Sequence, residues 1–208
     1  MTNRERERTL AQQRGFTVFM TGLSGAGKST ISDVLIADLE AAGREVSVLD
    51  GDIVREMLSS ELTFSREHRD LNIRRIGFIA GELVRHGAAV VVAAIAPYEQ
   101  AREEARALVE KHGTFVLVHV ATSLEVTEAR DVKGLYKRAR SGEITQFTGV
   151  SDAYELPERI DVVVDGSGAA GTPADASAVI VAYLREHDLL QPPAGRAGVP
   201  IVTRGPRH

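Results

Sequence analysis

The chain has 208 residues, of which 43% are hydrophobic and 26% charged, an ordinary composition for a single globular domain. It contains no cysteine, which excludes a disulfide framework, a thiolate zinc site and a cysteine nucleophile. The formal net charge of -4 gives no reason to expect nucleic acid as a partner, so an anionic ligand must be met by local cations.

Both ends of the chain are polar. Residues 1–14 are highly charged and predict a flexible arm, with no apolar stretch typical of a signal peptide. Residues 191–208 hold four of the seven prolines and predict a flexible tail. The longest apolar run, residues 87–97, is too short to span a bilayer. We therefore expect one domain over residues 15–190, a cytoplasmic location and no membrane contact.

Strands and helices alternate along this domain. Short apolar runs predict strands at residues 16–21, 46–49, 88–95, 114–120 and 160–164. Apolar side chains at helical spacing predict helices at residues 29–42, 65–87, 99–112, 123–130 and 174–187. The alternation is typical of an α/β protein with a parallel sheet in three layers. Residues 131–158 follow neither period, so we expect them to form a mobile lid.

Residues 22–29 match the phosphate-loop motif G-x-x-x-x-G-K-[ST] in full. Its glycines let the backbone curl so that N–H groups face phosphate oxygens, and the helix behind adds its dipole. A strand precedes the motif and a helix follows it, which disfavours a chance match. We expect Lys28 to reach the β- and γ-phosphates of ATP and Ser29 to ligate Mg²⁺. The predicted ATP site comprises Gly22, Ser24, Gly25, Ala26, Gly27, Lys28, Ser29 and Thr30.

Two carboxylates, Asp50 and Asp52, follow the second predicted strand. The carboxyl ends of parallel strands are where ligands bind in open sheets. One carboxylate can position Mg²⁺ or its waters, while the other accepts a proton from a hydroxyl group. A turn with a helix N-cap explains the same residues, and both interpretations can hold together.

Among the residues that follow the carboxylates, four arginines and an asparagine are candidates for binding an anionic ligand. Several cations near a phosphate loop indicate an acceptor that is itself anionic. A solvated helix face explains Arg74 and Arg75 equally well, and Asn72 could be a surface residue. The other two arginines are Arg55 and Arg69.

Several motifs in a fixed order resemble the adenylylsulfate kinase family, from about residue 16 to about residue 189. The most diagnostic pair is Lys-Gly-Leu-Tyr at residues 133–136 with Phe-Thr-Gly at residues 147–149. The other matching segments are the phosphate loop, residues 49–52, 64–65, 69, 72–75, 130–132 and 154–155.

This resemblance implies a P-loop NTPase-type fold, with ATP and Mg²⁺ as phosphate donor and cofactor. It implies transfer of the γ-phosphate to the ribose 3′-hydroxyl of adenosine 5′-phosphosulfate (APS), giving 3′-phosphoadenosine 5′-phosphosulfate in sulfate activation. A homodimer is common in the family, and association with ATP sulfurylase is a further expectation.

The resemblance also implies roles for single residues. Asp52 would lie near the 3′-hydroxyl, and Asp50 would support the metal region. Phe64 and Phe147 would sandwich the acceptor's adenine, an arrangement that contributes about 1–3 kcal/mol per base. Both could instead be core residues, although the polar neighbours of Phe147 weaken that alternative. The remaining acceptor contacts would come from Arg55, Arg69, Asn72, Ile95, Ala96 and Lys133, and Arg130 would lie near the ATP adenine.

Three positions depart from the family pattern. Many members have Ile-Ser-Pro where this chain has Ile-Ala-Pro at residues 95–97, and that serine has been described as a phosphoserine intermediate. Ala96 carries no nucleophile, so the resemblance implies direct in-line transfer. Ile53 stands where asparagine is common, and Thr63 stands where glycine is more usual.

Two alternatives stay open at this point. One is another small-molecule P-loop kinase with a nucleoside or sugar-like acceptor, and the paired Phe64 and Phe147 favour a planar acceptor in either case. The other is a non-catalytic nucleotide-binding regulatory module, which the intact Lys28, Asp50 and Asp52 disfavour.

Overall fold

The computed structural model describes residues 14–169 and 171–190. The predicted arm lies outside the described residues except for Arg14, and the predicted tail lies wholly outside them. Within the described ranges, no helix combines the length and the apolar character needed to cross a membrane.

In the described part of the chain, five parallel strands form one sheet in the order β2-β3-β1-β4-β5. Their bounds are β1 Phe16–Thr21, β2 Val46–Asp50, β3 Ala89–Ala93, β4 Thr114–Val120 and β5 Val162–Val164. Every residue of β1 is buried, because strands flank it on both sides and helices cover both faces. The predicted α/β class and parallel sheet are therefore confirmed.

Seven helices lie in the same described ranges. They are α1 Lys28–Ala41, α2 Gly51–Leu58, α3 Arg66–Arg85, α4 Glu99–Glu110, α5 Leu124–Arg130, α6 Leu135–Arg140 and α7 Pro173–Glu186. The five predicted helices are present with ends displaced by no more than two residues. The six-residue α6 was not predicted, because a helix of less than two turns presents too few positions to show a period.

The helices complete three layers around two apolar clusters. On one face, the Ile31, Leu35 and Leu39 side chains of α1 pack with α7 against β1. On the other face, α3 and α4 pack against the same strand around Phe19. Helices α3 and α4 approach closely at Gly77, where an added Cβ would lie 2.6 Å from the Cα of Ala105.

The parallel arrangement brings four loops to one edge of the sheet. The phosphate loop follows β1, and Asp50 ends β2 beside it. Residues 94–97 follow β3, and Thr122 follows β4. Ligand sites of open parallel sheets form at this edge, so the fold assembles the predicted site from distant segments.

Candidate active site

The phosphate loop takes its shape from glycine. Gly22, Gly25 and Gly27 all have positive φ, at 155°, 74° and 100°, a region that side chains with a Cβ rarely adopt. A Cβ on Gly22 would also lie 2.7 Å from the carbonyl oxygen of Val120. Gly27 then occupies the N-cap of α1, so the first turn of that helix faces the loop.

Lys28 is folded back onto the loop that it follows. Its Nζ donates to the carbonyl oxygens of Gly22 and Leu23, both at 2.8 Å. Burial lowers its pKa from 10.5 to about 8, although the nearby Asp52 carboxylate opposes this shift. An anionic ligand in the loop would stabilise the charged ammonium, so the site favours phosphate.

The two carboxylate oxygens of Asp50 accept hydrogen bonds from different parts of the site. Its Oδ1 accepts hydrogen bonds from the backbone N–H of Asp52 at 2.9 Å and of Ile53 at 3.4 Å, which caps α2. A helix N-cap is therefore present, but the capping residue is Asp50, whereas Asp52, which the sequence placed just before the helix, lies in its first turn. The Oδ2 of Asp50 accepts from Ser29 Oγ at 3.3 Å, which brings two hard oxygen donors together beside the loop. Mg²⁺ prefers such donors.

A protein-only metal cage is absent from residues 14–169 and 171–190. No group of three or more His, Cys, Asp or Glu in these ranges could hold a metal ion. Mg²⁺ sites commonly use one or two carboxylates with phosphate oxygens and water instead, and the pair Ser29 and Asp50 fits that mode.

Asp52 forms an ion pair with Lys133, which precedes α6. Both side chains are largely exposed, at 77% and 59%. An exposed pair of this kind contributes little to stability, so either group can exchange its partner for a ligand at small cost.

These groups line one cavity of about 390 Å³, which has the size of small-molecule sites. The phosphate-loop residues 24–30 and Asp50 form one side of it. The expected acceptor residues also line it: Asp52, Arg55, Phe64, Arg69, Asn72, Ile95, Ala96, Lys133 and Phe147.

Two predicted ATP residues lie outside the cavity lining. Gly22 contributes its carbonyl to Lys28. Arg130 donates to the carbonyls of Gly166, at 2.8 Å, and of Ser167. Gly166 itself lies close to the phosphate loop, because a Cβ added to Gly27 would lie 3.3 Å from the Gly166 carbonyl oxygen.

Arg69 links two segments of the cavity wall, the residues before α3 and residues 146–148. It is 8% exposed, and its Nε donates to the Phe64 carbonyl at 2.8 Å. Its terminal nitrogens donate to Thr148 Oγ1 and to the Gln146 carbonyl. By contrast, Arg74 turns away and pairs with Glu104.

Arg75 likewise pairs with Glu61 and donates to the Leu58 carbonyl at 2.8 Å. Neither Arg74 nor Arg75 lines the cavity. The structure therefore supports the helix-surface interpretation for these two residues.

The two candidate stacking residues differ in exposure. Phe64 is 57% exposed and lies under the guanidinium of Arg55, whose Cζ is 4.7 Å from the ring centroid. Phe147 is 8% exposed and meets the Tyr136 ring edge-on, with centroids 5.0 Å apart at 82°. Phe147 is therefore part of a small apolar cluster and also lines the cavity.

Asn72 is buried, so the alternative that it lies on the surface is wrong. Its Oδ1 is buried without a hydrogen-bond partner, and Asn72 lines the cavity. A buried unpaired acceptor is costly, and a ligand that donates a hydrogen bond would remove that cost.

Ala96 has a φ of 44° and is 1% exposed. Its carbonyl accepts from Arg102 Nη1 at 2.7 Å, and the preceding carbonyl, of Ile95, accepts from Thr21 Oγ1 at 2.6 Å. These bonds fix the loop after β3 against the cavity. Arg102 and Thr21 were not predicted, because no motif marks them.

Comparison with known proteins decides the family. The sequence model described as Adenylylsulphate kinase matches residues 14–165. The chain belongs to the adenylylsulfate kinase family. The family and the P-loop kinase fold expected from the sequence are thus confirmed.

Individual relatives agree with this assignment. An adenylyl-sulfate kinase of Microcystis aeruginosa is 60% identical over 146 residues, which cover 70% of this chain and 79% of the relative. A sulfate adenylyltransferase of Chaetomium globosum is 58% identical over 154 residues, or 74% of this chain. The match covers only 27% of that longer relative.

Among solved structures, a Mycobacterium tuberculosis APS kinase in complex with AMPPNP and APS superimposes with a TM-score of 0.79. It is 36% identical, and the match covers 83% of this chain and 99% of that one. The same fold therefore holds an ATP analogue and APS together in that relative.

Proposed function

We propose that this protein is an adenylylsulfate kinase that transfers the γ-phosphate of ATP directly to the 3′-hydroxyl of APS. The product is 3′-phosphoadenosine 5′-phosphosulfate, the activated form of sulfate. One observation carries the proposal: a single cavity joins a phosphate loop to Asp52 and to an aromatic and cationic wall. The named activity of relatives up to 60% identical supports it.

The donor half of the site binds ATP through the phosphate loop, with Lys28 moving from its backbone carbonyls to the phosphates. Loss of Lys28 would remove the only side-chain charge that the loop itself carries. We propose that Ser29 and Asp50 hold Mg²⁺, which neutralises phosphate charge when bound. The role of Arg130 near the ATP adenine stays a prediction.

The acceptor half binds APS between Phe64 and Phe147, with Asn72 accepting a hydrogen bond from it. Asp52 orients the 3′-hydroxyl and takes its proton as the oxygen attacks the γ-phosphorus, while the bond from that phosphorus to the β–γ bridging oxygen breaks and ADP leaves. Lys133 pairs with Asp52 in this structure, and its exposed side chain can turn to stabilise the negative charge that develops on the transferred phosphate. Ala96 offers no nucleophile, so the phosphate passes in one step from donor to acceptor.

The test is to incubate the purified protein with ATP, Mg²⁺ and APS and to identify the 3′-phosphorylated product by mass. Asp52→Asn should bind APS normally and lose turnover by about 10²–10⁴-fold, the usual contribution of a general base. Asp33→Asn, on the exposed outer side of α1, is the matched control and should retain full turnover. ATP binding without any product in the wild type would contradict the proposal.

The surrounding assembly is also a proposal. We infer that residues 15–190 form the kinase domain, that residues 131–158 act as its lid, and that the protein acts in the cytoplasm as a homodimer. The matching segment lies within a longer sulfate adenylyltransferase in Chaetomium globosum, which supports association with ATP sulfurylase. Light scattering of the purified protein alone measures whether it forms a homodimer. The same measurement in the presence of ATP sulfurylase shows whether the two proteins associate.

A further inference from the structure

Tyr136 lines the cavity, but its hydroxyl meets the phosphate loop beside Thr127, which does not line the cavity. The Tyr136 hydroxyl donates to the carbonyl oxygen of Ser24 at 2.9 Å, across 112 residues of sequence. The same hydroxyl also donates to Thr127 Oγ1 at 3.0 Å, and Thr127 Oγ1 in turn donates its own proton to the Leu124 carbonyl at 2.9 Å. The single Tyr136 proton therefore has two acceptors, of which the Ser24 carbonyl is the one within the phosphate loop.

The hydrogen bond from Tyr136 to the Ser24 carbonyl also orients the backbone N–H group of the next residue, Gly25. The Ser24 carbonyl and the Gly25 N–H belong to one planar trans peptide, so they point in opposite directions. Gly25 has a φ of 74° and no Cβ, which leaves the peptide free to rotate. Holding the carbonyl in this hydrogen bond therefore holds the Gly25 N–H toward the phosphate side and polarises it.

The aromatic ring of Tyr136 contacts Phe147, which lines the proposed acceptor pocket. It meets the Phe147 ring in a T-shaped contact, with centroids 5.0 Å apart and ring planes at 82°, and both residues belong to one buried cluster. Edge-to-face contact of this kind fixes the tilt of the partner ring. Phe147 lines the cavity, so the tilt of its ring sets one wall of the acceptor pocket.

Tyr136 is itself rigidly held. It is 2% exposed, and its backbone N–H donates to Asp131 Oδ1 at 2.9 Å. Burial raises the pKa of its hydroxyl, which keeps it a neutral donor at physiological pH. A rotation of the ring would thus disturb the phosphate loop and Phe147 together.

We propose that Tyr136 is a positioning residue that couples the two substrate sites: its hydroxyl presents the Gly25 N–H to the donor phosphates, and its ring sets Phe147 against the acceptor. The acceptor half of this inference rests on the proposed function. The donor half requires only that the phosphate loop binds a nucleoside triphosphate.

The experiment measures dissociation constants of the full chain by calorimetry, with AMPPNP·Mg²⁺ and with APS as separate probes. Tyr136→Phe keeps the ring and should weaken AMPPNP binding about 3- to 10-fold, the effect of one lost hydrogen bond. Its affinity for APS alone should stay within about twofold, because the ring contact remains. Tyr136→Leu removes the ring as well and should weaken APS binding about tenfold.

Tyr183→Phe is the matched control. It also removes a partly buried hydroxyl, which lies 3.4 Å from Asp161 Oδ1, away from the cavity. It should leave both dissociation constants unchanged, even if its melting temperature falls as much as that of Tyr136→Phe.

A change below about twofold in AMPPNP affinity for Tyr136→Phe would overturn the inference, as would an equal change in Tyr183→Phe. Wild-type binding of AMPPNP without turnover of APS would instead overturn the proposed function, while the Tyr136→Phe comparison would still decide the donor half.

Discussion

Replacing Lys28 by methionine should change how the stability of the protein depends on pH. Folding buries the Lys28 ammonium and lowers its pKa from 10.5 to about 8. Below pH 8 the group is charged in both the folded and unfolded states, so the folded state carries the full cost of burial. Between these two values the unfolded state binds more protons, and the free energy of unfolding therefore rises with pH.

The magnitude follows from the two pKa values. The gap between 10.5 and about 8 corresponds to about 3 kcal/mol of burial cost at low pH. Between pH of about 7.5 and about 10, the wild type should gain about 2 kcal/mol relative to Lys28→Met. The hydrogen bonds from Lys28 to the loop carbonyls contribute little to this increase in the free energy of unfolding, because the neutral amine can still donate them.

The assay is urea unfolding of both proteins at the two pH values, in EDTA and without nucleotide. Lys111→Met is the matched control, since it removes an exposed lysine at the end of α4. The free energies of unfolding of Lys111→Met and the wild type should differ by the same amount at both pH values, whereas the difference between Lys28→Met and the wild type should increase with pH. A Lys28→Met difference that stays constant from pH 7.5 to 10 would refute the reasoning that burial controls the Lys28 charge.

Three further predictions use matched substitutions around the cavity. Phe64→Ala should raise the KM for APS about tenfold through loss of stacking, whereas Phe78→Ala, equally exposed at 58% but outside the cavity, should leave steady-state kinetics unchanged. Arg69→Ala should lower the free energy of unfolding by about 3 kcal/mol, because it leaves the buried Thr148 hydroxyl and two partly buried carbonyls without their donor. Arg74→Ala should lower it by less than about 1 kcal/mol, and urea unfolding measures both changes. Asn72→Ala should weaken APS binding in calorimetry; unchanged affinity would show that the unpaired Oδ1 does not meet the acceptor.

The phosphate loop was predictable from the sequence because its function depends on local backbone conformation. The positions of Gly22, Gly25, Gly27 and Lys28 within eight residues determine where the chain can curl and where the charge lies. The strand before the loop and the helix behind it were predictable for the same reason, since apolar periodicity is a property of neighbouring residues.

The roles of polar side chains were less predictable. Asn72 could be a surface residue by its sequence context, yet its Oδ1 is buried in the cavity wall without a partner. Arg69 and Arg74 lie five residues apart on one helix with the same side chain, but one donates to Thr148 and the other pairs with a surface glutamate.

The sequence by itself thus determined the α/β fold class, the phosphate loop, the paired carboxylates and the family. Tertiary structure alone decided which donors and acceptors remain available to a ligand. Arg69 bonds to Thr148, 79 residues away, and Tyr136 bonds to Ser24, 112 residues away. Hydrogen bonds act over about 3 Å of space. Whether a side chain serves the ligand or the protein therefore depends on neighbours that only the folded chain supplies.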